Sequence, residues 1–299
     1  MPTPQTAIFE DDHRHHYALE YNINSTASLD DVRACLCKAI TDARQCCRLT
    51  VAIGPSLWDQ FSPAEKPIGF APLKAITGHD GYSLPASNAD ILFWLQGDGV
   101  DCVFDGVQVI QQNLKLIAAL GLAQPGFTYK DSRDLIGFVD GSANPVGDDI
   151  KQAALVPKGE PFAGGAHVFS QKWIHDLDGF NKLSVKAQEA IIGRTKEDSI
   201  ELADDVMPAT SHVSRTDVKV DGVSQTIWRT SFPFGDAHDC GLYFLCFSCT
   251  PSRVQVQLER MFGVSGDGLH DHLIHYSKPV TGAYWFAPAE QDLWQLLEG

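Results

Sequence analysis

Apolar and polar positions along this chain follow two rhythms, and the order in which the rhythms come is repeated. Residues 16–24 alternate as a half-buried strand. Ser28-Leu-Asp-Asp then opens a helix of period 3.6 that runs to about Arg44, with a hydroxyl N-cap and an acidic first turn. Residues 47–54 read as a second strand, and after a long loop residues 89–96 read as a buried third one. A Gly-Asp-Gly turn leads from there into an amphipathic helix over about 101–121.

The second half has the same order. Residues 167–174 form a strand, 184–193 a helix, 224–234 and 242–249 two further strands, and Thr250-Pro-Ser-Arg opens a long helix with Pro in its first turn. Two copies of a strand-helix-strand-strand-helix plan predict an α+β protein of two related halves with antiparallel sheets. A parallel doubly wound sheet fits less well, because helices do not alternate with every strand and no G-x-G-x-x-G follows a first strand. The segment 151–165, with Pro157, Gly159, Pro161 and a Gly-Gly pair, marks the division into 1–155 and 156–299.

Composition narrows the possible functions. At 299 residues and 44% apolar, the chain can bury substantial cores, and its net charge of -15 argues against nucleic acid or an anionic membrane as partner. No basic segment followed by an apolar run opens the chain, and nowhere do eighteen apolar residues run together, so a cytoplasmic location is expected. The eight cysteines include one C-x-x-C, Cys246 to Cys249, on a strand whose alternation sends the two thiols to opposite faces. With no second such pair for zinc, reduced and mostly buried thiols are expected.

Three places could carry chemistry. Residues 137–147, GFVDGSANPVG, set Asp140 as the sole ionisable group in a loop of turn-formers, which would otherwise be an ordinary surface turn capping itself. His212 follows a Pro-bearing connection at Pro208, although a lone histidine more often serves packing than chemistry. Arg229 interrupts an apolar strand with Ser231 on the same face, a costly placement unless the charge is paired or lies at a sheet edge. An aimed carboxylate, an imidazole and a cation are together the parts of a haem peroxidase: an axial ligand on one side of the iron, an acid/base group and a charge-stabilising cation on the other.

At these residues the chain resembles a known family. Gly137-Phe-Val-Asp140-Gly141 with Asn144-Pro145, Ile192-Gly-Arg-Thr-Lys196, Ser211-His212-Val213, and Arg229 through Pro233-Phe-Gly235 are similar to the motifs of the dye-decolorising peroxidases, above all the bacterial B-type branch, in family order from about residue 7 to 282. The resemblance implies two ferredoxin-like halves packed as a dimeric α+β barrel-like body, with one haem b per chain in the C-terminal half. It implies His212 as the axial iron ligand, Asp140 and Arg229 as the distal pair, Gly141 as the close approach to the porphyrin, and Arg194 as a propionate partner. Two positions depart from the pattern. Ser231 stands where many B-type members have asparagine, and the run Asp271-His-Leu-Ile-His275 ends in histidine where the pattern has a second acid, leaving Asp271, on the same helical face, as the group to orient His212.

The function expected from this resemblance is reduction of hydrogen peroxide with oxidation of organic reductants such as dyes or phenols, at an acidic optimum set by Asp140. Bulky donors would be oxidised by electron transfer through surface Tyr or Trp, with Tyr129 first and Tyr243 and Trp228 next. The competing readings are a haem-handling protein of deferrochelatase type, which needs His212 but not Asp140 and Arg229 together, and an interaction module without cofactor. Sheet edges in such paired halves favour a homo-oligomer, dimer or higher.

Overall fold

The computed structural model describes residues 2–10 and 13–299. The N-terminal half consists of β1 (His15–Ile23), α1 (Leu29–Ala43), β2 (Arg48–Ile53), β3 (Ile91–Gly97), α2 (Val100–Leu114) and β4 (Ala118–Phe127). The C-terminal half consists of β5 (Ala166–His175), α3 (Val185–Ile192), α4 (His212–Thr216), β6 (Trp228–Arg229), β7 (Phe232–Gly235), β8 (Cys240–Ser248), α5 (Pro251–Met261), β9 (Ala283–Ala287) and α6 (Glu290–Glu298). Local signals account for the helix starts. Ser28 Oγ accepts from Asp31 N at 3.1 Å to cap α1, and Pro251, which lacks an N–H to satisfy, occupies the first turn of α5.

The strands pair antiparallel in the order β6-β8-β5-β9-β2-β3-β1-β4, with β7 also on β8. Within each half the second hydrogen-bonded position goes to the first strand: β4-β1-β3-β2 in one, β9-β5-β8-β6/β7 in the other. Both halves are therefore ferredoxin-like, and the molecule is α+β. A single ladder pair, Phe286 with Ile53, joins the two ladders. The sheet also curls until its far ends meet, because Gly126 on β4 lies so close to β7 that a Cβ there would sit 2.1 Å from the Phe232 ring.

Alternation along the strands sorts two cores. On β1, Leu19 and Tyr21 pack in the large cluster beneath the helices, whereas Ala18 belongs to a second cluster with Trp94, Tyr243, Phe247 and Trp285, inside the curled sheet. That inner core is partly polar: His16, Glu20, Gln96 and Ser170 are buried there.

The structure departs from expectation in four places. The helix expected over 101–121 ends at Leu114, and residues 118–127 become β4 instead, because pairing with β1 overrides a weak local preference. The strand expected over 224–234 is broken: Leu245 N reaches Ser231 Oγ at 3.5 Å rather than a carbonyl, and Pro233 has no N–H to give. Asp271 does not share a helical face with His275, since it caps the single 3₁₀ turn His272–His275 from outside. All eight cysteines are free, but only Cys246 is buried; Cys102 is exposed and the other six are partly exposed.

Candidate active site

His212 owes its position to two caps. Ser211 Oγ accepts from Ser214 N at 3.2 Å and starts the short helix α4, so His212 stands at the first turn. Its ring is held by Asp271, which is fully buried and accepts from His212 Nδ1 at 2.6 Å through Oδ2, while Oδ1 accepts from Leu273 N at 2.8 Å. A carboxylate can only accept, so Nδ1 carries the proton. Nε2 is thereby left with its lone pair for a ligand. His275 takes no part; its Nε2 meets His270 Nε2 at 2.9 Å.

His212 borders two cavities. One, of about 810 Å³, has Phe169, Gln171 and Trp173 of β5 and Leu242 and Phe244 of β8 as its floor, with Val254, Leu258 and Met261 of α5 opposite. The other, of about 1040 Å³, opens toward Arg194, Val213 and Thr226. Asp140 and Arg229 line both together with His212.

Asp140 is held by its own loop. Its N–H donates to Ser132 O at 3.0 Å, and Gly141, at φ 75°, turns its N–H back to Asp140 Oδ1 at 2.7 Å. Burial pushes the Asp140 carboxyl above the ordinary carboxylate range, and the Arg229 guanidinium partly offsets that rise. Arg229 is clamped by Asn144, whose Oδ1 accepts from Arg229 N and Nε, both at 3.2 Å, and whose Nδ2 donates to Arg229 O at 2.8 Å. A carboxylate of raised pKa beside a fixed cation, sharing a cavity with an imidazole whose Nε2 keeps its lone pair, can move one proton and stabilise one negative charge near a centre bound to His212.

Comparison with known proteins identifies the family of the chain. Residues 24–128 match the N-terminal and residues 131–292 the C-terminal model of Dyp-type peroxidases. The chain belongs to the Dyp-type peroxidase family. It is 34% identical over 247 residues to the dye-decolorizing peroxidase of Rhodococcus erythropolis, covering 81% of this chain and 72% of that one. With the Mycobacterium tuberculosis dye-decolorizing peroxidase it shares 35% over 244 residues, 80% of this chain and 72% of that one. Among solved structures, DyPB from Rhodococcus jostii superposes with a TM-score of 0.89 at 31% identity over 97% of both chains. The dye-decolorizing peroxidase of Bacteroides thetaiotaomicron gives 0.91 at 28% over 99% of both. The fold is that of the Dyp-type peroxidases, and the chain is a peroxidase.

Other residues singled out in the sequence fall around this Dyp-type centre. Ser231 lines, with Asp140 and Arg229, a separate cavity of about 630 Å³ on the side away from His212, next to His16 and Tyr129. Arg194 reaches the His212 cavity, but its guanidinium is already held by Ser199 O at 2.9 Å and by Glu201. Tyr129 is half-buried, with the Lys130 ammonium 5.0 Å from its ring centre. Tyr243 and Trp228 are buried, so neither is a surface site for electron transfer.

Five residues around this candidate site escaped the sequence reading. Asn144 registered only as a turn residue. Asp134 and His175 are joined at 3.0 Å, with His175 Nδ1 2.8 Å from Ser277 Oγ, and all three line the His212 cavity. Gln171 is buried with its Nε2 unpartnered. Asn144 sat within the quoted motif and could have been suspected; the others carry no local signal.

Proposed function

We propose that this chain is a haem b peroxidase that reduces hydrogen peroxide and oxidises organic donors such as dyes or phenols, with His212 as the axial ligand of one haem per chain and Asp140 and Arg229 as the working pair on the opposite face. The observation that carries this reading is the His212–Asp271 bond, which leaves one imidazole nitrogen for a ligand beside a largely apolar cavity that Asp140 and Arg229 also line. The residues suit haem. The slot is walled by Phe, Trp, Leu and Met side chains, and the orphaned Gln171 amide offers a donor to a polar substituent. Among the described residues no three His, Cys, Asp or Glu converge on a metal, so iron at His212 would take its remaining ligands from the porphyrin.

Haem bound there supplies the iron at which peroxide is reduced. There Asp140 would accept a proton from peroxide and return it to the departing hydroxide, so that water leaves, and Arg229 would stabilise the negative charge that develops. Asp271 makes His212 a stronger donor by accepting its Nδ1 proton. Gly141, with no Cβ, would let the loop come close to such a group, and Arg194 would hold a propionate only by giving up Glu201. Tyr129, beside the Ser231 cavity, is the candidate electron exit.

The eight free thiols suit a reducing cytoplasm, and among the described residues no helix is long and apolar enough to cross a membrane. Val100 and Phe104, exposed one turn apart on α2, offer apolar surface to a second copy in a homo-oligomer. Residues 1–155 and 156–299 are taken as the two halves. The test is a hemin-reconstituted absorption spectrum followed by peroxide titration. A Soret band that changes with one equivalent of peroxide is expected, and its absence from reconstituted protein would refute the assignment.

A further inference from the structure

The inner face of the curled sheet holds a buried carboxylate that the peroxide chemistry does not use. Glu20 is 4% exposed and has no cationic partner among the described ion pairs. It accepts from Tyr243 OH at 2.7 Å and from Ser170 Oγ at 3.4 Å, and Ser170 Oγ in turn accepts from Trp285 Nε1 at 2.9 Å. A buried carboxylate without a countercharge costs stability that an apolar residue of the same size would not.

Its location gives it a use. Tyr243 lies between Leu242 and Phe244 on β8, and Ser170 between Phe169 and Gln171 on β5; all four flanking residues floor the slot assigned to haem. Strand alternation therefore puts the Glu20–Tyr243 pair on the reverse side of that floor, one sheet away. Burial raises the Glu20 carboxyl, and it raises the Tyr243 phenol well above its usual range. An oxidised phenol there could not lose its proton to water and needs a base in contact.

We propose that Tyr243 and Glu20 form an internal electron relay, a reading that rests on the haem assignment above. Tyr243 gives one electron to the haem that peroxide has oxidised, its O–H bond breaks, and the proton passes to Glu20. The products are a neutral phenoxyl radical, a neutral carboxylic acid, and a haem one electron less oxidised. An electron from the organic donor and the proton from Glu20 then restore the phenol. The return path is an aromatic stack: Phe232 lies 5.1 Å from Tyr243, and His16 5.1 Å from Phe232 at an interplanar angle of 6°. Phe232 and His16 border the cavity that Tyr129 also lines. Tyr243 is the redox residue; Glu20 holds the proton and positions the phenol.

The test uses the haem-loaded full chain, frozen after mixing with peroxide, with electron paramagnetic resonance and infrared difference spectra of the wild type, Tyr243→Phe and Glu20→Gln. The relay predicts a tyrosyl signal that Tyr243→Phe reduces to background, together with growth of a protonated carboxylic acid band that Glu20→Gln abolishes along with most of the spin. A signal that survives Tyr243→Phe, or a spin yield and acid band unchanged by Glu20→Gln, overturns it. If a variant fails to fold, the wild-type infrared spectrum decides: no new acid band on peroxide addition refutes the relay. A wild-type preparation without a Soret band removes the haem reading and the relay together, whereas a normal Soret band with a failed relay leaves the haem reading standing.

Discussion

His167, on β5, makes the fold sensitive to acid in a way that one substitution can isolate. Its ring is buried against Phe70 and Phe286, at centroid distances of 6.1 and 5.1 Å, and its Nδ1 has no partner. Burial alone lowers its pKa from 6.5 to about 4. The unfolded chain therefore binds the proton first as pH falls, so the stability tied to neutral His167 is complete above about pH 6.5 and is lost as pH falls through about 4. A shift of that size corresponds to about 3 kcal/mol in full, of which about 2 kcal/mol is lost between about pH 7 and about pH 5. His167→Phe keeps a ring among rings and removes the titration. Urea unfolding of the haem-free chain, followed by tryptophan fluorescence at both pH values, gives the double difference. The wild type should lose about 2 kcal/mol more than the variant. An equal loss in both, within about 0.5 kcal/mol, would refute the idea that the folded state excludes the proton. His16, also held near 4 by burial, should behave in the same sense.

Four further outcomes are expected. Asp271→Asn should weaken haem retention about 10- to 100-fold in a hemin competition titration, because the acceptor of the His212 Nδ1 proton loses its negative charge. Asp140→Asn and Arg229→Leu should each slow peroxide reduction by roughly 10²- to 10⁴-fold in stopped-flow, and unchanged rates in both would sink their assignment. Activity that needs ionised Asp140 is present above its pKa and lost as pH falls through it; since Arg229 holds that pKa down, Arg229→Leu should move the acid limb of the remaining activity to higher pH. Asn144→Ala should release the Arg229 side chain and cut the peroxide rate without loss of the Soret band, a split that equilibrium haem binding and kinetics together would read.

The sequence conveyed the plan of the fold because strong alternation and clear caps mark most elements. It failed where neighbours decide. Residues 118–127 contain Gly121 and Pro125 and look unlike a strand, yet they complete the first sheet at its edge, where a proline is tolerated. The candidate residues Asp140, His212 and Arg229 sit in short motifs with unusual local chemistry, which is why the sequence singles them out. Asp271 was legible for its charge but not for its geometry as a cap. The links Asp134–His175 and Glu20–Tyr243 span 41 and 223 positions, and no local pattern brings such partners together.

The seam of one ladder pair between the halves bears on the order of assembly. All four strands of the first ladder are complete by Phe127, before any of β5, α4 or α5 has been synthesised. Translation can thus finish one ladder and present it as a docking surface. Joining the two ladders waits for β9, which pairs with five residues of β5 and reaches Ile53 through Phe286.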